Sequence, residues 1–125
     1  MTGAYDWIAE GYQSFFGHLP EGIDDRIRFA EMTGTERALE SVERMREQLI
    51  YNNPLGPKVQ QLVHFGQLIA LGHEGPARLH AASAIHHGAT MEELAGVAET
   101  ALITAGVPAY ALGISILSAL SPDGE

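Results

Sequence analysis

The chain has 125 residues, 46% of them hydrophobic and 18% charged, with sixteen acids against seven bases and a formal charge of −9. That length and balance suit one folded domain rather than a disordered chain. The absence of cysteine excludes a disulfide scaffold, a thiolate zinc site, an iron–sulfur cluster and a cysteine nucleophile, and the scarcity of cations argues against nucleic-acid binding through phosphates.

Met1-Thr2-Gly3-Ala4-Tyr5-Asp6 lacks the basic start and apolar run of a secretory peptide, so a cytoplasmic protein is expected. Helical spacing recurs along the chain, and period-two alternation does not. Trp7, Ile8, Tyr12, Phe15 and Phe16 predict a helix over about 6–16, broken by Leu19-Pro20-Glu21-Gly22. A short helix follows over about 24–32. Thr33 and Glu36 have capping-box spacing ahead of a helix reaching Tyr51, with Leu39, Val42, Met45 and Leu49 on one stripe. After the turn cluster 52–57, Pro57 suits a first helical turn leading into Val59, Leu62, Val63, Phe65, Leu68 and Ile69. Gly75-Pro76 opens the next predicted helix, which runs to about His87 and stops at Gly88. Thr90 and Glu93 repeat the capping-box spacing before a helix that ends near Gly106, and Pro108 starts the last. The uncharged run from Thr100 to Ser121 is long enough to cross a bilayer, but Gly106-Val107-Pro108 divides it into two buried helices instead. The pattern predicts an all-α, single-domain helical bundle of six or seven helices over 1–125, with no membrane span.

Five of the six histidines, His64, His73, His80, His86 and His87, fall within 24 residues. Histidine carries protons near neutral pH and is the commonest metal ligand. His73, His80 and His87 are seven apart, so on one helix neighbours stand roughly 10.5 Å apart. That is too far for one ion held at about 2 Å per nitrogen. No two histidines have i,i+3 or i,i+4 spacing, so no metal site is expected. His86 and His87 precede a glycine stop, where a histidine meets the negative end of the helix dipole. His64, between Val63 and Phe65, reads as a packed or interface histidine. His80 lies among small neighbours, Ala77, Ala81, Ala82, Ser83 and Ala84, with room for a partner or ligand. Ser83, three residues on, is within reach of its imidazole. There is no nucleophile elbow, phosphate loop or dinucleotide fingerprint.

From about Leu55 to Leu117 the chain resembles the carboxymuconolactone decarboxylase family, which includes the alkylhydroperoxidase D-like proteins. The resemblance rests on Leu55-x-x-Lys58 and an apolar helix, then His80-x-x-x-Ala84-x-x-x-Gly88-Ala89-Thr90-x-Glu92-Glu93-Leu94, and finally Ala105-Gly106-Val107-Pro108-Ala109. It covers about 55–117 as a core, with 1–54 supplying N-terminal helices. One branch of the family is a disulfide reductase whose two cysteines would fall at His73 and Pro76, so thiol peroxidase chemistry is excluded here. Gln61 stands where that branch tends to carry a proton-relaying glutamate. The other branch resembles the cofactor-free decarboxylase of aromatic catabolism, often with a glutamate where Glu74 stands; Pro76 departs from its pattern.

The resemblance implies a cofactor-free lyase or isomerase acting on a small carboxylated lactone or cyclic acid, assembled as a homotrimer or homohexamer. His80 is then the general acid/base, modulated by Glu74 or His73. Arg78, the last base in the chain, clamps a carboxylate. The Ala77 and Arg78 amides at the helix start, with Ser83, meet substrate oxygens. Two other readings stay open: a non-catalytic small-ligand-binding or oligomeric accessory protein, and a different cofactor-free reaction on the same scaffold.

Overall fold

A computed structural model of the chain describes residues 3–121. Among these are seven α-helices and no strand, so the fold is all-α as the spacing predicts. No helix among the described residues is long and apolar enough to cross a membrane. The contacts divide the chain into two compact units between Asn53 and Pro54.

The first unit comprises α1 (Asp6–Phe16), α2 (Ile23–Thr33) and α3 (Glu36–Arg46), which runs on into a π-helical turn, Glu47–Tyr51. Thr33 does not cap α3, contrary to the spacing with Glu36. It is the last residue of α2, and its hydroxyl donates to the Phe29 carbonyl at 2.8 Å. Gly34, at φ +72°, turns the chain so that the Thr35 N–H closes α2 on the Ala30 carbonyl at 2.9 Å, which moves the start of α3 beyond Thr33. The stripe on α3 also faces differently than its apolarity suggests. Val42, Met45 and Leu49 are exposed, and the buried residue is Glu43.

Glu43 is buried because it is answered. Its carboxylate accepts from the Tyr12 hydroxyl at 3.1 Å and from Arg46 at 3.0 Å. The Arg46 guanidinium lies 4.1 Å over the Tyr12 ring and donates to the Tyr51 hydroxyl at 2.9 Å. Arg26 adds a hydrogen bond to the Tyr12 oxygen at 3.1 Å. A buried charge is tolerated only when paired and hydrogen-bonded, and here one network ties α1, α2, α3 and the π turn together.

The second unit is built on α4 (Pro57–Leu71), which packs against α5 (Glu74–His86), α6 (Met91–Ala105) and α7 (Val107–Leu120). Its core is Phe65, Leu68 and Ile69 of α4 with Leu94, Ile116 and Leu117 and a set of alanines. At Gly113 a side chain would come within 2.9 Å of Ile69 Cδ1 and 3.1 Å of Ala98 Cβ, so the close approach of α4, α6 and α7 requires glycine there. Thr90 and Glu93 form the expected capping box on α6, reciprocally at 3.0 and 2.9 Å. The Thr90 N–H and the Lys58 ammonium, 2.9 Å away, hold the Glu93 carboxyl below the usual carboxylate range.

Helix α5 starts at Glu74, two residues before the expected Pro76. Proline is accommodated in a first turn, where its missing N–H has no intrahelical acceptor to lose. Gly72, at φ +78°, ends α4 and lets His73 turn into α5. Ala77, Ala81 and Ala84 form a fully buried stripe on α5. Small side chains at that spacing let α5 lie close on α4, which sets the position of His80.

Candidate active site

His80 is 7% exposed and Gln61 is fully buried. They meet across the α4–α5 contact, with His80 Nδ1 2.7 Å from Gln61 Oε1. At its other end, Gln61 Nε2 donates to Gln60 Oε1. With Gln61 Oε1 as the acceptor, His80 Nδ1 carries the hydrogen. In the neutral ring the lone pair is then on Nε2. Gln61 thus fixes both the ring's orientation and the nitrogen that can take up a proton.

His64 completes the cluster. It lies three residues after Gln61 on α4, half-buried, with its ring centroid 3.9 Å from that of His80 and the rings tilted by 40°. Residues three apart on a helix share a face, so α4 presents Gln61 and His64 together to α5. Ser83, 1% exposed, follows one turn after His80, and its hydroxyl oxygen is buried without a hydrogen-bond partner among the described residues.

The other expected site residues are placed elsewhere. Glu74 and Arg78 are bound to each other at 2.8 Å on the surface of α5, with side chains 63% and 43% exposed. His73 is exposed at the residue preceding α5. Ala77 is part of the core, and its N–H donates to the His73 carbonyl at 3.0 Å. That bond exists because the helix begins at Glu74, so the Ala77 amide is not an open donor as a start at Pro76 implied. His86 and His87 sit at the C-terminal end of α5 with their rings edge to face, 5.1 Å apart. No three metal-ligating side chains converge among the described residues.

Sequence reasoning singled out His80, and it noted Gln61 only as a substitution for a glutamate. It missed His64 as a member of the site. The signal was two polar residues one turn apart, Gln61 and His64, on the α4 face that also carries the buried Phe65 and Leu68.

A concavity lies between α4 and α6, an apolar groove of about 530 Å³ whose lining includes Val59, Val63, Gly66, Val97 and Thr100. Gln61, His64 and His80 do not line it.

The carboxymuconolactone decarboxylase family model matches residues 36–119. The chain belongs to that family. The match begins at α3, further toward the N-terminus than the motifs from Leu55 onward suggest. No curated protein and no solved structure matches the chain.

Proposed function

We propose that the protein is a cofactor-free lyase or isomerase acting on a small carboxylated lactone or cyclic acid, with His80 as the general acid/base. The observation that supports this reading is the 2.7 Å contact between His80 Nδ1 and Gln61 Oε1; with Nδ1 donating, proton uptake falls to Nε2. Loss of carbon dioxide breaks a carbon–carbon bond and sends its electron pair into the conjugated lactone carbonyl. A dienolate forms, and His80, protonated at Nε2, returns one proton to carbon. Because Gln61 is neutral, no anion stabilises the imidazolium through Nδ1, and the ring gives its proton up readily. A positioned imidazole typically contributes about a hundred- to ten-thousand-fold to such a step.

The remaining roles distribute over α5. Arg78 binds the substrate carboxylate in exchange for Glu74, and Glu74 and His73 shape the charge at the helix start. With the Ala77 amide engaged, the Ser83 hydroxyl is the donor for a substrate oxygen; an unmet buried hydroxyl is costly, and a ligand oxygen relieves that cost.

The test is a panel of carboxylated lactones and β-keto acids, with carbon dioxide release and ultraviolet loss followed for the wild type and His80→Ala. Wild-type turnover that falls at least about a hundredfold in a folded His80→Ala supports the reading. Equal turnover in the two proteins overturns it. A second reading, a non-catalytic oligomeric or ligand-binding protein, is favoured by the apolar α4–α6 groove and by Val59 and Val63, exposed on its wall. It predicts a homotrimer or homohexamer with no turnover by either protein.

A further inference from the structure

We infer that His64 is the proton relay between solvent and the buried His80. The assignment deepens the proposed function and rests on His80 being the group that exchanges protons with substrate. Each lyase turnover transfers one proton from His80 to carbon, so His80 must regain one from solvent before the next. His80 is 7% exposed. Its Nδ1 side is closed to proton traffic, because Gln61 is an amide whose passage of a proton would require the high-energy imidic acid form. The titratable ring lying against His80 is His64, with centroids 3.9 Å apart and the rings tilted by 40°, and His64 is the more exposed of the two.

A neutral imidazole accepts a proton at one nitrogen and releases one from the other, which an amide does not do. The balanced step is short. Imidazolium His64 gives its proton to the lone pair on His80 Nε2; His64 becomes neutral, His80 becomes the imidazolium, and water then recharges His64. Rings tilted against each other do not pass protons through their faces. The transfer therefore runs through rotation of the His64 ring or through a single bridging water. At this separation two imidazolium charges would repel, so the relay charges one ring at a time. The charged groups on the helices packed against α5 are few. Helix α7 carries no charged residue and Tyr110 as its one titratable side chain. The one charged residue of α4, Lys58, is bound to Glu93, and Arg78 is bound to Glu74.

The experiment uses the full chain with nitrogen-15-labelled histidine, comparing the wild type with His64→Gln and His64→Ala. The rate of proton exchange at His80 Nε2 is measured from the broadening of its nitrogen-15 signal, with and without added imidazole. The relay predicts slower exchange in both variants and restoration by imidazole, with no imidazole effect on the wild type. Where a substrate is in hand, kcat falls about a hundredfold and recovers with imidazole, while KM is unchanged. Exchange in both folded variants equal to wild type overturns the relay, and so does slowed exchange that imidazole does not restore. These readouts need no substrate. A wild type without turnover therefore counts against the proposed function alone.

Discussion

Replacing Gln61 by glutamate tests whether the neutral amide sets the chemistry of His80. The substitution changes one atom and puts a carboxylate oxygen where Oε1 now lies, 2.7 Å from Nδ1. Two effects compete. A unit charge pair about 4 Å apart interacts by roughly 4 kcal/mol at an effective dielectric of about 20, which favours the imidazolium. Burial opposes ionisation, since Gln61 is fully buried and a carboxylate there loses its hydration. The partner lies within hydrogen-bond distance, so the attraction wins and the pKa of His80 rises in Gln61→Glu. The stability consequence has a definite sign. A histidine whose folded pKa is raised above its unfolded value contributes stability fully present below about pH 6.5 and lost as pH rises through the folded pKa. Gln61→Glu should therefore be most stable relative to wild type in mildly acidic solution, and should lose ground above neutrality. Nitrogen-15 shifts of the labelled ring, followed from pH 5 to 9, measure the pKa, and urea melts across the same range measure the stability. An unchanged or lowered His80 pKa in Gln61→Glu would show that Gln61 does not govern the imidazole.

The polar interior of the first unit supports two further predictions. Glu43→Ala leaves the Arg46 guanidinium buried without its carboxylate, and should cost about 3–5 kcal/mol in chemical denaturation; a loss no larger than that of an exposed substitution would show the pair to be incidental. Burial, reinforced by Glu43 and partly offset by Arg46 and Arg26, pushes the Tyr12 phenol up to about 12. Its contribution to stability is therefore complete below about pH 10 and is lost as pH rises toward 12. Absorbance of ionised tyrosine should show one group titrating late, and Tyr12→Phe should remove that late step.

The helices were legible because their signals are local. Apolar side chains recur at helical spacing, and Gly72, Gly88, Gly106 and Pro108 mark the stops and starts within a few residues of each. What was illegible depends on partners distant in sequence. The stripe Val42, Met45 and Leu49 identifies an amphipathic helix but not which of its faces is covered. Glu43 is buried because Tyr12, 31 residues away, and Arg46 meet it. The site divides in the same way. His80 was visible from its run of small neighbours, which belongs to one helix. His64 was not, because its role arises only when the alanine stripe of α5 brings His80 against α4. The expected participation of Ala77 failed on a two-residue shift in where α5 begins.

The charge of the chain bears on what such a site can hold. The surplus of acids is not spread evenly around His80. Helix α7 has no charge, α4 has Lys58 alone, and the acids of α6 include Glu93, which already occupies Lys58. In this part of the chain Arg78 is the one remaining cation, and it too has a carboxylate partner, Glu74. Under the proposed function a substrate carboxylate would exchange for Glu74 on a partly exposed surface, where the gain is small because water screens both pairs. A second carboxylate would have to displace Glu93 from Lys58 as well. The arrangement thus suits a substrate with one carboxylate and an otherwise apolar ring better than a dianion. It also explains why a neutral partner for His80 is workable: with few cations nearby, a buried carboxylate at position 61 would have only the two imidazoles to balance it.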